Sequence, residues 1–309
     1  MDLTREQLVD VGLDALAAAP GGPGPERARV LAAAGARRRP SRHPGWTDTP
    51  EDGVTSLDAF IRTAAELGHL LDALRPSDLT LATRAQGRSV ADLVRHLVGV
   101  ERYVLGQLGR GPAFHAPRRE DHYTASEAAA ADLAGAGPAE LARAWWLEVM
   151  QLIGACGELG PDRTVAYHHL SGSIRGLLVV RTFELWTHDE DIRVATGQPP
   201  NELDAPRLAL MVGKLMELLP VGMAMQATSR PGRAATIRLR GPNGWVSYAV
   251  PLEPGGLAGP PDVVISTGAL DICRLAANRL PLDQLDAVVE GDRSLLEPVL
   301  VGATAFSMD

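Results

Sequence analysis

From residue 56 to residue 200 the apolar positions recur at helical spacing. Leu57, Phe60, Ala64, Leu67, Leu71 and Leu74 make one stripe, with Ser56 in place as a cap. Val90, Leu93, Leu97, Val100, Val104 and Leu108 make a second, opened by Ser89, and Leu141, Trp145, Val149 and Leu152 a third. The fourth stretch, residues 171–199, is the one around which the chain is organised. Ile174, Leu177, Leu178, Leu185, Ile192 and Ala195 share a face, and Arg181, Glu184 and His188 fall inside the same stripe. Both ends are marked: Ser171 or Ser173 serves as N-cap, Gly197 suits a left-handed C-terminal residue, and Pro199 cannot extend the helix. These four elements predict a helix bundle over residues 54–200.

Beyond residue 200 the pattern changes. A Leu- and Met-rich helix over 205–225 leads into three β-rich runs, ATIRLR, WVSYAV and DVVIST, separated by Gly, Pro and Asn. ALDICRLAANRL and DRSLLEPVLVGATAF close the chain as two helices, so residues 201–309 read as a small α+β domain. Residues 1–53 read as an accessory segment. Two short Ala-rich helices, broken by PGGPGP, precede a Pro- and Gly-dense linker. The fold class expected for the whole chain is α+β.

Composition narrows the partners. The net charge is -8 over 309 residues, which argues against nucleic acid or an anionic membrane, since both reward clustered positive charge. The basic run ARRRPSRH at 36–43 is short and Pro-interrupted, and reads as solvated linker. MDLTREQL begins polar and acidic, unlike a signal peptide, and no apolar run approaches the ~20 residues of a membrane span. A cytoplasmic protein is expected. Cys156 and Cys273, the only cysteines, stand in unrelated contexts and read as small buried hydrophobes. The chain has no Walker loop, dinucleotide fingerprint or G-x-S-x-G elbow.

The charges in the fourth stripe carry the candidate chemistry. An unpaired buried charge costs more than one helix position recovers, so Arg181, Glu184 and His188 must be paired, hydrated or bound to a metal. Glu184 and His188 stand four residues apart on one face, and His96 flanks the second stripe. Together they offer three ligands with a fourth position open, the arrangement of a catalytic zinc, although His and Glu suit other divalent metals too. Arg181 stands where it orients Glu184 or holds an anionic substrate group, and Asp191 where it accepts a hydrogen bond from a ligand imidazole. The competing reading makes Arg181 and Glu184 a buried ion pair and His188 a satisfied core histidine. Asp189 reads as a solvated face, His168 and His169 as loop residues near a cavity mouth, and His115 and His122 as loop surface. From a different class comes a binding module, with Met211, Met216, Met223 and Met225 lining a hydrophobic carrier, or a metal-binding homologue without activity.

SVADLVRHLVGVE together with VVRTFELWTHDEDIRVATGQP resembles the mycothiol-dependent maleylpyruvate isomerase family, a branch of the DinB-like metal-binding four-helix bundles. The resemblance covers roughly residues 55–200 and continues into a sterol-carrier-like C-terminal domain through GPNGW and VVEGDRSLLEPVL. It implies that His96, Glu184 and His188 hold zinc, and that Arg279 in LAANRL corresponds to an arginine that contributes to activity. It further implies that the thiol of mycothiol is received as thiolate and presented to a small electrophile. Isomerases of the family return the thiol after rotation about a cis double bond, and related transferases keep the adduct. Residues 1–53 depart from the family pattern.

Overall fold

The computed structural model describes residues 53–110, 119–167 and 170–307. The accessory segment up to residue 52, the basic run at 36–43, His115, His168 and His169 lie outside the described residues. Helix α1 spans Ser56–Asp72, α2 Val90–Gln107, α3 Arg119–Asp132, α4 Pro138–Leu159 and α5 Ile174–Thr196. Thr55, not Ser56, caps α1 by accepting the Asp58 amide at 3.0 Å. Ser89 caps α2 in the same way. Ser173 accepts from the Gly176 amide at the start of α5, and Gly197 ends it in the left-handed region at φ 68°. The first core is shared by α1, α2, α4 and α5, with Phe60, Leu67, Leu97, Trp145, Leu152 and Leu178 fully enclosed.

Within the bundle, a helix and a hairpin were not expected from the sequence. The Ala-rich run after residue 124 extends backwards into α3, which lies against α2. Gly99 makes this possible: a Cβ there would stand 2.4 Å from the Ser126 Cα. The connection before α5 folds as a hairpin of β1, Thr164–Tyr167, and β2, Leu170–Ser173.

The second core begins with α6, Ala205–Met225, whose Met211, Leu215, Leu219 and Met223 lie against a four-stranded sheet. The strands are β3, Ala234–Gly241, β4, Gly244–Pro251, β5, Val263–Gly268 and β6, Val288–Gly291, in the order β4-β3-β5-β6. β3 pairs antiparallel with β4 and parallel with β5, and β6 closes the other edge antiparallel to β5. β3, β4 and β5 are the three expected runs. β6 is a fourth, formed by VVEG, which is too short and too exposed to carry an alternating pattern. Helices α7, Ala269–Ala276, and α8, Leu296–Ala303, join α6 on the buried face, where Ile237, Leu239, Val263 and Ile265 point inward.

The mixed architecture is the expected α+β class. One expectation needs correcting. α6 is long and apolar enough to cross a membrane by length and composition, but half of its apolar stretch is buried inside the protein. Its Arg207 is buried too, held by Glu66 at 2.7 Å and by Thr63 at 3.1 Å on α1.

The tight crossing of α6 and α8 generates a stability prediction. A Cβ on Gly222 would lie 2.3 Å from the Gly302 carbonyl oxygen, whereas Gly154, in α4, has open space around it. Gly154→Ala is expected to stabilise the fold by up to about 1 kcal/mol through helix propensity. Gly222→Ala receives the same benefit yet is expected to lose about 1–3 kcal/mol to overpacking. Urea denaturation of both variants reads the opposite signs.

Candidate metal centre

His96 of α2 and Glu184 and His188 of α5 come together. One ligand atom from each lies within 4.8 Å of the others, and the His96 Nε2 stands 3.7 Å from Glu184 Oε1. The hydrogen-bonding around the imidazoles fixes their tautomers. Ser126 Oγ donates to the His122 carbonyl at 3.0 Å, so it accepts from His96 Nδ1 at 3.1 Å. His188 Nδ1 donates to Asp191 Oδ2 at 3.2 Å. Both rings are thereby held as the Nδ1–H form, with the lone pair on Nε2, as a metal ligand requires. Two neutral imidazoles and one carboxylate, oriented from behind, fit a divalent ion such as zinc.

Glu184 owes its charge to a second cluster. Arg181 is fully enclosed and donates to Glu101 Oε1 on α2 at 2.6 Å and to Glu184 on its own helix. One guanidinium faces two carboxylates. Burial pushes Glu101 up, even beside Arg181. Burial acts on Glu184 in the same sense, but the adjacent Arg181 guanidinium, foremost among its polar neighbours, outweighs it, and this carboxyl falls well below its usual range. Glu184 is therefore the carboxylate kept ionised, on the side facing the imidazoles. Tyr167 of β1 adds a phenol hydrogen-bonded to Arg181, and burial holds it protonated. Arg181 has no face on the cavity described below, so of its two expected uses the geometry favours orienting Glu184.

Asp191 carries the link to the C-terminal residues. Arg279 donates Nε and Nη2 to its two oxygens at 2.8 and 2.7 Å. Burial would raise the Asp191 carboxyl, but His188 and Arg279 outweigh it and bring it below the ordinary value. Arg279 reaches this point because the chain turns after α7 at Asn278, whose φ of 56° is a left-handed conformation that asparagine tolerates. Arg84, from the connection before α2, joins at Asp191 Oδ1 at 3.2 Å, and Arg274 of α7 holds the neighbouring Glu190 at 2.7 Å.

Two expectations about exposure are overturned. His122 is not loop surface. It belongs to α3, is 2 % exposed, and its ring centroid lies 5.0 Å from that of His96. Asp189 is not on a solvated face but buried against Arg193 at 2.6 Å. α5 is packed on both sides, by α1 and by α6, so its acids are enclosed on faces that a one-sided helix would leave wet. Glu101, Tyr167 and Ser126 had no sequence signal, because each acts through a contact made only in three dimensions.

A cavity of about 320 Å³ opens beside the three candidate ligands and runs between α5, α6 and the C-terminal segment. His122, Tyr167 and Arg279 line it together with them. Neither cysteine does. Both are buried, and burial pushes Cys156 up to about 12 and Cys273 higher still. The chain's own thiols are therefore unfit as nucleophiles near neutral pH.

Residues 60–193 match the family described as Mycothiol maleylpyruvate isomerase N-terminal domain. Among solved structures, the crystal structure of the mycothiol-dependent maleylpyruvate isomerase matches with a TM-score of 0.53 at 17% identity, covering 75% of this chain and 91% of that one. A histidine-to-alanine mutant of that isomerase matches with a TM-score of 0.50 at 16% identity and the same coverage. At these identities the likeness shows a shared fold. No curated protein matches by sequence.

Wild-type protein is expected to take up zinc, and Glu184→Ala or His188→Ala to lose it, by elemental analysis after dialysis. Asp191→Asn keeps the ligands but removes the acceptor behind His188, and is expected to weaken zinc about 10–100-fold in a chelator competition. Arg181→Met strands two carboxylates and is expected to cost about 3–5 kcal/mol of stability. Adding Glu101→Gln to it recovers part of that loss in urea denaturation.

Proposed function

We propose that this chain, whose residues 60–193 match the family described as Mycothiol maleylpyruvate isomerase N-terminal domain, is a zinc-dependent enzyme of that family. It uses mycothiol as its thiol and adds it to a small electrophile, either in cis-trans isomerisation of a maleylpyruvate-like compound or in thiol S-transfer. The observation that carries this reading is the convergence of His96, Glu184 and His188 on one wall of the cavity, inside the matched segment. A divalent ion held by these three groups supplies the Lewis acidity that keeps a thiol sulfur ionised near neutral pH.

The chain's own residues do the remaining work. Ser126 and Asp191 hold the two imidazoles in the required tautomer, and Arg181 keeps Glu184 ionised. The apolar side chains of the cavity, Phe183, Leu215 and Leu218 among them, offer a surface for the carbon skeleton of a substrate. In the reaction, sulfur bonds to one alkene carbon while the π pair moves onto the conjugated carbonyl oxygen as an enolate. Rotation and collapse then expel the thiolate in an isomerase, and protonation of the carbon beside the carbonyl keeps the adduct in a transferase. A thiol from outside is required because Cys156 and Cys273 are buried as neutral thiols. A carrier of hydrophobic molecules gives no reason for three ionisable ligands in the cavity wall. We place the enzyme in the cytoplasm, where free thiols such as these two persist.

The test is turnover of a maleylpyruvate-like substrate and of a thiol acceptor, with and without mycothiol. His188→Ala is expected to fall to the uncatalysed background with its circular-dichroism spectrum unchanged. A Cys156→Ala, Cys273→Ala double variant is expected to keep mycothiol-dependent turnover. Activity in the His188 variant, or activity that needs no added thiol, refutes the reading.

A further inference from the structure

The hairpin before α5 brings a phenol beside the candidate ligands. Val165 and Tyr167 of β1 alternate with Ala166 along the strand, so they share one of its faces, and both line the cavity. The Tyr167 ring meets Tyr103 of α2 edge-on, with centroids 5.7 Å apart, a contact that holds it in place. Its hydroxyl is hydrogen-bonded to Arg181, the same guanidinium that holds Glu184. The phenol therefore stands on the Glu184 side of the centre. A guanidinium can only donate, so Tyr167 Oη accepts there and its own proton is directed away from Arg181. Arg181 does not reach the cavity lining, whereas Tyr167 does. Thr187, the neighbour of His188 in sequence, also lines the cavity, but its hydroxyl gives its proton to the Phe183 carbonyl at 3.0 Å.

Resting on the thiol-using reading above, we propose that Tyr167 is a catalytic residue whose O–H donates to the carbonyl oxygen of the electrophile, where negative charge gathers as sulfur adds. That oxygen is conjugated with the alkene and stands close to the attacked carbon, so its donor belongs beside the centre and not across the cavity. The hydrogen bond from Arg181 polarises the phenol and strengthens it as a donor. Burial keeps the phenol protonated, and the proton stays on Tyr167 throughout. The bonds change as given above. Sulfur–carbon forms and the π pair moves to the carbonyl oxygen; the pair then returns as thiolate leaves, or water protonates carbon where the adduct is kept. The donor meets more charge in the transition state than in the bound substrate, and that difference accelerates the reaction.

The experiment compares wild type with Tyr167→Phe, both zinc-loaded and full length, using mycothiol and two kinds of electrophile. Maleylpyruvate and dimethyl maleate gather charge on a carbonyl oxygen. Iodoacetamide is attacked by the same sulfur in a displacement whose charge leaves on iodide. The variant is expected to lose about a hundredfold in kcat on the two alkenes, with KM nearly unchanged. Its rate of mycothiol alkylation by iodoacetamide and its zinc content are expected to match wild type. Undiminished turnover of the alkenes overturns the inference. So does an equal loss with iodoacetamide, which marks a residue that only keeps Arg181 in place. Wild type supplies a check that needs no variant: relative to rates without protein, the alkenes are expected to be accelerated at least about tenfold more than iodoacetamide. Equal or smaller acceleration of the alkenes overturns the inference and leaves the thiol reading standing. Absence of mycothiol-dependent acceleration with every electrophile overturns the thiol reading, and this inference with it.

Discussion

The structure turns on one buried guanidinium. Arg181 lies at zero exposure between Glu101 of α2 and Glu184 of its own helix. Taking these charges out of water is costly, and the cost is offset only while all three remain together. This requirement fixes the register of α5 against α2, because a shift of one residue on either helix strands at least one carboxylate. The two acids respond in opposite directions: burial drives the Glu101 carboxyl up, while Arg181 outweighs burial at Glu184 and holds that carboxyl down, on the side that faces the two imidazoles.

A second shared acid ties the C-terminal unit to the same helix. Asp191 receives His188 on one side and Arg279 on the other, with Arg84 at the first of its oxygens. The imidazole of His188 is therefore oriented by a carboxylate whose own position depends on a turn after α7. α5 thus belongs to both cores: Leu185 and Ile192 pack in the bundle, while Trp186 packs with α6 and the sheet. The cavity lies where those two packings diverge, which explains why it is walled by α5, α6 and the C-terminal segment together.

Much of this was legible in the sequence, and the reason is periodicity. Arg181, Glu184 and His188 stood out as charges in an apolar stripe, and Ser173 and Gly197 bounded their helix by ordinary capping chemistry. What stayed hidden depends on contacts between segments remote in sequence. Glu101 follows an apolar run without interrupting its pattern, and only the crossing with α5 places it against Arg181. His122 looked like loop surface because the helix that carries it has hardly any apolar face. It is brought in by Gly99, whose missing side chain lets α3 approach α2. Asp189 looked solvated because a stripe argument assumes one buried face, and α5 has two. β6 escaped for the opposite reason, being a short edge strand defined by its partner β5 and not by its own pattern.

The same pairing bears on how much of the site can change. Arg181 and Arg279 hold Glu184 and Asp191, the first a candidate ligand and the second the support of another. Withdrawing either arginine would therefore loosen the groups that shape the centre, because a buried carboxylate left without its partner is costly. The apolar walls carry no such duty. Phe183, Leu218 and Phe306 can change without disturbing an ion pair, so variation in what the cavity admits falls to them first.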